Sequence, residues 1–570
     1  MELEVIEPEK KKMVFERDPL ISFVVPVYDT PLDIFKRCLM SLSDQDYQNM
    51  EVIIVPNGGE KLCEELAREY IAALDPEKAK NWKICAIEEK GACNARNHGF
   101  INSTGEIVSF FNSDYTAKVG MVRTWVDALQ KNLDCGFVYG AYEYASNQRD
   151  VYWSKPFDVY QLGVANYIDC GFPLWRGHVV EWDTNVKSLQ DWDFWLRVIG
   201  KGVKGHYLGR DISFIARYPA PKGLSHDSSD NWMDRVKFVR EKNNIPMRDL
   251  CVASIGAANH GVEIAKMINA DYRDDTLHKP HEYKALYLIG WYMHPGETKN
   301  GHSYILTRFP KSKKIIHFVG ADIYWLRKFS VEKIKEWAGA MKIACHYFLC
   351  ENELAQEELK GYGIDAEIVP IPPYSDFNLT PLPKEFSVAL YLTDRSDFDK
   401  YLQQHTLSIV KAMPDVKFYG YGDADLGEFK SKNFEHKGFL KRPDWEKFVY
   451  ERSAYLRLVK HDTRPLATDE FLMAGRDVIT NIPGQFVDYI NTSGDMPFNE
   501  WDTFAPGFSP LRWPETKKVI VQAIREVKKR KMNPEQRIRV SDGLKEILNK
   551  DKYREKIQSL VDSKIEALTH

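Results

Sequence analysis

Residues 91–114 read G-A-C-N-A-R-N-H-G-F-I-N-S-T-G-E-I-V-S-F-F-N-S-D, and this stretch decides the fold. Its first half has the pattern of a polar helix, Ser103-Thr104-Gly105 is a turn, and residues 106–111 are an apolar strand that runs out at Asn112-Ser113-Asp114. A carboxylate just beyond a buried strand lies where open α/β sheets keep their ligands. Upstream, residues 20–27 (L-I-S-F-V-V-P-V) form another apolar run of strand length. Thr30-Pro31-x-Asp33 then reads as a helix start, with threonine as the cap, proline in the first turn and aspartate against the helix dipole. Leu32, Phe35, Leu39 and Leu42 follow at helical spacing, and residues 51–55 are the next strand. Strand, helix and strand in succession predict a parallel sheet.

With these elements placed, the sequence resembles the family-two inverting glycosyltransferases, which have a GT-A fold. The resemblance is carried by V-V-P-V-Y at 24–28, E-V-I-I-V at 51–55, Ala95-Arg96-Asn97 on its helix, Gly105-Glu106, and Asn112-x-Asp114 where the family has D-x-D. It implies that Asn57, Arg96, Asn112 and Asp114 bind a nucleotide-sugar donor. It further implies that Asp114 holds a divalent cation, Mn2+ or Mg2+, whose charge offsets that of the departing diphosphate. Pro56 and Asn112 depart from the family pattern, since the first cannot donate a backbone hydrogen bond and the second offers a neutral carbonyl in place of an acid.

Residues 189–197, L-Q-D-W-D-F-W-L-R, resemble the family's E-D-W-D-x-W-L-R segment, with Gln190 in place of its glutamate. This places Asp191 as the base that deprotonates the acceptor hydroxyl, a role open to a carboxylate ionised near neutrality and within hydrogen-bond reach. Asp193 is its nearest competitor. The same residues also read as an amphipathic helix, with Trp192, Trp195, Leu196 and Ile199 facing the core. In the Pro- and Gly-marked loop that follows, His226 is a candidate for a further metal ligand, by analogy with the late histidine of the fold.

At 570 residues, 44% of them hydrophobic, the chain is long enough for two to four domains. A formal net charge of -4 gives no support to a nucleic-acid partner. The 9 cysteines include no C-x-x-C pair, so neither a disulfide framework nor a structural zinc is indicated, and a reducing, cytoplasmic setting fits. No apolar run approaches membrane-spanning length, although the basic helix around 525–531 leaves room for peripheral membrane contact.

Residues 246–282, with an Ala-rich piece and then a charged one, read as a helical connector. Strands near 285–291, 314–319, 345–350 and 366–371 follow, then a Pro-rich break at 371–383, then strands near 386–392, 415–421, 453–459 and 477–481. Two such Rossmann-like halves suggest a GT-B architecture. Residues 457–481, R-L-V-K-H-D-T-R-P-L-A-T-D-E-F-L-M-A-G-R-D-V-I-T-N, resemble the family-four retaining glycosyltransferases. By that resemblance Asp462 lies beside the donor sugar, Glu470 holds the ribose, Arg395 and Lys400 bind the diphosphate, and no cofactor is needed. Phe318-Val-Gly-Ala-Asp322 resembles the strand-end loop of the acceptor half.

The expectation is therefore α/β throughout. A charged tail (1–19) precedes a GT-A module (20–245) with a single mixed sheet. The connector (246–282), GT-B acceptor and donor halves (283–376 and 384–513) and closing helices (514–570) follow. The implied protein is a bifunctional glycosyltransferase that moves sugars from nucleotide-sugar donors to a glycan, glycolipid or glycoprotein acceptor. Two alternatives stay open: a first module that only binds the acceptor for the second, and a non-catalytic carbohydrate-binding scaffold.

Overall fold

The computed structural model describes residues 18–563 except 59–60, 145–150, 153, 217–231, 255–257, 274–282, 291–310, 328, 394–401, 460–461, 482–486, 490–512 and 531–533. The chain divides into two compact units, Met1–Met247 and Arg248–His570.

The first unit is built on one curled, mixed sheet. Its strands are β1 (Ile21–Val27), β2 (Met50–Pro56), β3 (Trp82–Ile84), β4 (Ile107–Phe110), β5 (Thr116–Ala117), β6 (Phe137–Tyr144), β7 (Val151–Tyr152), β8 (Leu174–Trp175) and β9 (Gly205–Ala216). They lie in the order β3-β2-β1-β4-β8-β6-β9-β5, with β7 beside β6. β1 is parallel to both β2 and β4 and is buried along its whole length, which is why its sequence is a continuous apolar run. The chain leaves β1 toward β2 and β3 and then returns to the other side of β1 as β4. The carboxyl edge between β1 and β4 is thus a topological switch point, where such sheets open a crevice. Helix Ala92–Ile101 lies over β1 and β2, with Ala95 fully buried against them.

Thr30 does not cap the first helix. That helix runs Leu32–Ser43 with Pro31 at the cap position, and the Thr30 hydroxyl instead bonds the Ser113 hydroxyl at 2.7 Å, tying the end of β1 to the loop after β4. At the opposite edge the Glu51 carboxylate accepts from the Ser22 hydroxyl at 2.7 Å, the Thr104 hydroxyl at 3.1 Å and the amides of Thr104 and Gly105. Burial pushes this carboxyl upward, but the Thr104 amide, the two hydroxyls and Lys83 outweigh it and hold Glu51 below the ordinary glutamate range. A depressed carboxyl stabilises the fold above its unfolded-state value, and that contribution fades as pH falls through the folded one. Glu51→Ala is therefore expected to cost about 3 kcal/mol at neutral pH. Urea midpoints should show the deficit shrinking as pH falls below the ordinary glutamate range, and an unchanged deficit there would count against the assignment.

The second unit holds two parallel six-stranded sheets. The first has the order β11-β10-β12-β13-β14-β15, from β10 (Leu250–Ser254), β11 (Asp271–Arg273), β12 (Ala285–Ile289), β13 (Lys313–Phe318), β14 (Tyr347–Cys350) and β15 (Glu367–Ile368). This corrects the expected helical connector at 246–282. Leu250–Ser254 pairs in parallel with both Asp271–Arg273 and β12, so the stretch supplies two strands of the sheet, with helix Ala258–Met267 between them. The two strands are only 5 and 3 residues long, and the helix that joins them dominated the sequence pattern.

The other sheet has the order β18-β17-β16-β19-β20-β21, from β16 (Ser387–Tyr391), β17 (Lys417–Tyr421), β18 (Phe434–His436), β19 (Ala454–Arg457), β20 (Asp477–Thr480) and β21 (Asp488–Tyr489). Three helices close the unit, Trp513–Arg530, Pro534–Ile547 and Lys550–Asp562. The last of them returns to the first parallel sheet. There the Lys313 ammonium donates to the carbonyls of Leu560 and Val561 at 3.3 and 2.5 Å, and the Tyr553 and Tyr287 hydroxyls meet at 2.6 Å. A cation at a helix C-terminus satisfies carbonyls that have no partner within the helix.

The Pro-rich segment between the two sheets is held by Arg476, which is fully buried. Its guanidinium donates to the carbonyls of Thr380, Pro381, Tyr450 and Ala474 and to the Thr380 hydroxyl, at 2.7–3.3 Å. Arg476 directly follows Gly475, which ends helix Leu466–Met473 in the left-handed conformation with φ 73°. The bonds Arg476 N–H to Phe471 O and Gly475 N–H to Leu472 O complete a Schellman turn. No helix among the described residues is long and apolar enough to cross a membrane.

Candidate active site

The carboxyl edge of β1, β2 and β4 gathers the polar residues that the sequence singled out. Arg96 is the hub: it points from its helix into the sheet edge and is only 5% exposed. It donates to the Asn112 side-chain oxygen at 3.0 Å and the Gln190 side-chain oxygen at 3.2 Å, and lies 3.6 Å from the Cys170 sulfur. Its guanidinium stacks 4.3 Å over Trp182, which in turn stacks on Phe194 at 4.2 Å. Arg96 therefore joins the loop after β4 to helix Gln190–Ile199, which carries Asp191. The neighbouring Asn97 locks Trp182 through two backbone bonds of 2.8 and 2.7 Å.

Helix Gln190–Ile199 starts from a strained residue. Leu189 adopts the left-handed conformation, with φ 60° and ψ 32°, at a cost on the order of 1 kcal/mol. Asp191, in the first turn, is half-buried at the site. Asp193, the competing candidate, is 1% exposed and accepts from Arg197 at 2.9 Å, Lys242 at 2.6 Å and Asn243 at 3.0 Å. These three donors fix Asp193 as an anchor between this helix and the end of helix Trp232–Lys242.

Asn112 and Asp114 stand where expected, beyond β4. The Asn112 side-chain oxygen, however, is already engaged by Arg96, and its backbone carbonyl lies 3.7 Å from the Cys38 sulfur. Asn57 is 3% exposed, with its amide donating to the Val27 carbonyl and its oxygen accepting the Gly91 amide. It braces the ends of β1 and β2 against the start of helix Ala92–Ile101 and does not present its side chain to a ligand.

Sequence reasoning missed Asp169 and Cys170. They lie in a loop before β8, in a run (Y-I-D-C-G-F-P-L-W-R) whose only signal is one acid and one thiol amid apolar residues. Asp169, Cys170 and Asp191 each bring a ligand-type atom within 4.8 Å of the others. The Asp169 carboxyl accepts from the Tyr115 hydroxyl and the Gly171 amide, both at 2.7 Å. Burial first, and the Asp191 charge second, push Asp169 up to about 7 in spite of those donors. Burial and Asp191 likewise push the Cys170 thiol well above its ordinary range. The Arg96 guanidinium lies against this cluster, 3.6 Å from the Cys170 sulfur. Asp114 is a hard carboxylate ligand of the kind a divalent cation takes, whereas His226 lies outside the described residues.

In the second unit the strand-end loops of the two sheets meet. Gly320 (φ 93°) packs so closely on Thr463 that a Cβ there would come within 2.7 Å of the threonine hydroxyl, and Asn352 donates to the Thr463 carbonyl at 2.8 Å. Asp462 is buried and paired with Arg457 at 2.5 Å. Glu470 is buried between Arg442 at 2.7 Å and the Trp445 indole N–H at 2.7 Å. Each acid thus has its own internal cation. Arg395 and Lys400 lie outside the described residues.

Residues 22–178 match the family model described as Glycosyl transferase family 2. An uncharacterized glycosyltransferase of Rickettsia bellii is 26% identical over 253 residues, 40% of this chain and 35% of its own. The Bacillus subtilis glycosyltransferase EpsH is 35% identical over 96 residues, 17% of this chain and 26% of its own. The chain thus spans about a third of the length of these curated relatives. Among solved structures, Staphylococcus aureus TarS 1-349 in complex with UDP-GlcNAc is 15% identical, with a TM-score of 0.32, over 38% of this chain and 65% of that one. The family model and the curated relatives support a transferase enzyme.

Proposed function

We propose that the first unit is an inverting GT-A glycosyltransferase site in which Asp191 is the base and Asp114 faces the donor diphosphate. The observation that carries this reading is the Arg96 hub, which ties the loop bearing Asn112 and Asp114 to the helix bearing Asp191 at the sheet's switch point. In the reaction, the acceptor hydroxyl loses its proton to Asp191 as its oxygen bonds to the anomeric carbon. The bond from that carbon to the phosphate oxygen breaks on the opposite face, and the nucleoside diphosphate leaves with the electron pair. A divalent cation, held by Asp114 together with the donor's phosphates, would supply charge neutralisation to the leaving group. Arg96 contributes by orientation, keeping Gln190 and Asn112 fixed around the crevice.

For the second unit, the two parallel sheets and the E-x-x-x-x-G segment support the GT-B reading and, with it, a second, retaining site that uses Asp462 and Glu470. The arginine partners of both acids set its condition, because a sugar or ribose hydroxyl would have to compete with Arg457 or Arg442 for them. The acceptor class that fits both units is a glycan or glycoconjugate.

The test is nucleoside diphosphate release from UDP-glucose, UDP-N-acetylglucosamine and GDP-mannose, with manganese or with EDTA, for wild type, Asp114→Ala and Glu470→Ala. Asp114→Ala is expected to lower the manganese-dependent release at least 100-fold. If Glu470→Ala abolishes release from a different donor, both units are enzymes. If only Glu470→Ala matters and manganese has no effect, the first unit is an acceptor platform and its transferase reading fails.

A further inference from the structure

The Asp169 and Asp191 carboxyls sit side by side, and the mechanism above uses only one of them. Asp169 comes from the loop before β8 and Asp191 from helix Gln190–Ile199, so the fold brings together two acids that lie 22 positions apart in sequence (191 minus 169). Several groups face Asp169. From the loop after β4, the Tyr115 hydroxyl donates to it at 2.7 Å, and from its own loop the Gly171 amide donates at 2.7 Å, with the Cys170 thiol alongside. Arg96 from its helix opposes the negative charge, while Asp191 and, on β6, Tyr142 add to it or feel it. The two donors pin both oxygens of Asp169, so its position relative to Asp191 is set by backbone and by a buried tyrosine rather than by a mobile side chain.

We propose that Asp169 is a positioning residue of this site, a second carboxyl that holds the one proton kept by the Asp169–Asp191 pair and so sets the pH above which the base acts at full strength. This inference rests on the reading of Asp191 as the base. Two carboxyls with oxygens within 4.8 Å of each other repel when both are charged, so the pair titrates as a unit and keeps one proton longer than an isolated acid would. In the singly protonated pair the proton resides on Asp169 and Asp191 carries the charge. Loss of that proton as pH rises leaves a second negative charge beside Asp191, which strengthens its pull on the proton of the acceptor hydroxyl. The acceptor's proton then enters the pair through Asp191 and leaves it to solvent, so no further reactant is consumed. The elevated value of Asp169 accords with this arrangement.

The experiment combines two readouts on the full chain. Infrared difference titration without substrate is expected to show one protonated-carboxyl band in wild type that disappears as pH rises through about 7. The band should be absent in Asp169→Asn. In Asp191→Asn its midpoint should fall, because the neighbouring charge is gone, and in Tyr115→Phe it should rise, because a donor to the anion is gone. In parallel, nucleoside diphosphate release from the donor identified by the panel above is expected to rise about tenfold between roughly pH 6 and 8 in wild type and to stay flat in Asp169→Asn. A band that persists in Asp169→Asn, or a midpoint that Asp191→Asn leaves in place, overturns the proposal. If Asp169→Asn fails to fold by circular dichroism, the opposite shifts in Asp191→Asn and Tyr115→Phe decide alone. If the infrared shifts appear but no donor is turned over, the shared proton stands and the transferase reading fails.

Discussion

Asp191→Asn is expected to lower kcat for sugar transfer by 100- to 10,000-fold while leaving the donor KM within about threefold, the signature of a lost general base. Asparagine keeps the shape of the side chain and its place in the first helical turn, so Arg96, Gln190 and Trp182 retain their contacts. Only the ability to take a proton disappears. Asp193→Asn is the control. It loosens an anchor held by Arg197, Lys242 and Asn243, and it should lower thermal stability more than it lowers kcat at a temperature where the protein stays folded. Initial rates of nucleoside diphosphate release at saturating donor separate the two variants. A drop in kcat under tenfold for Asp191→Asn would remove it from the role of base.

The second large effect concerns stability. Arg476→Ala is expected to destabilise the second unit by about 3–5 kcal/mol, because one buried carbonyl, three part-buried ones and a hydroxyl lose a donor at once. Arg476 is unusual in being bound by four carbonyls and a hydroxyl while a second cation, Arg537, lies beside it. Burial and that neighbour push its guanidinium down to about 10, which still leaves it charged at neutral pH. Its value therefore lies in geometry: a planar fork reaches Thr380 and Pro381 on one side and Tyr450 and Ala474 on the other. Arg476→Lys supplies donors without the fork and is expected to recover less than half of the loss. Hydrogen exchange read by mass spectrometry locates the effect. Peptides covering the Pro-rich segment and β20 should lose protection in Arg476→Ala, and unchanged protection there would show that the segment is held by other contacts.

What the sequence made legible was the part of the site that local pattern encodes. Asn112 and Asp114 follow a clear apolar strand and Asp191 opens an amphipathic helix, and the structure joins Arg96 both to Asn112 and to Gln190, the neighbour of Asp191. Asp169 was invisible because its role comes from a tertiary meeting with Asp191 and Tyr115, and no period marks the loop that carries it. Asn57 shows the converse. Its position after β2 was right, but an amide can donate and accept at once, and the fold spends both abilities on Val27 and Gly91. Asp462 and Glu470 were singled out through the resemblance to family-four glycosyltransferases, while the arginines that pair with them lie 5 positions before the first and 28 before the second (462 minus 457 and 470 minus 442), in separate elements. The two strands inside residues 246–282 were lost because strands of 5 and 3 residues carry too few alternations to compete with a ten-residue helix.

The seating of Lys313 and Tyr287 against the chain's last described helix bears on the order in which the protein can be made. The first parallel sheet of the second unit is synthesised about 180 residues before that helix (550 minus 368 is 182). Until the helix emerges, Lys313 has no carbonyls to cap and the Tyr287 hydroxyl lacks its Tyr553 neighbour. A translating ribosome can therefore release a finished first unit, whose sheet draws only on residues up to Ala216, while the second unit waits for nearly its whole length. During that interval the polar groups of Lys313 and Tyr287 on this sheet lack the helix that meets them in the finished fold.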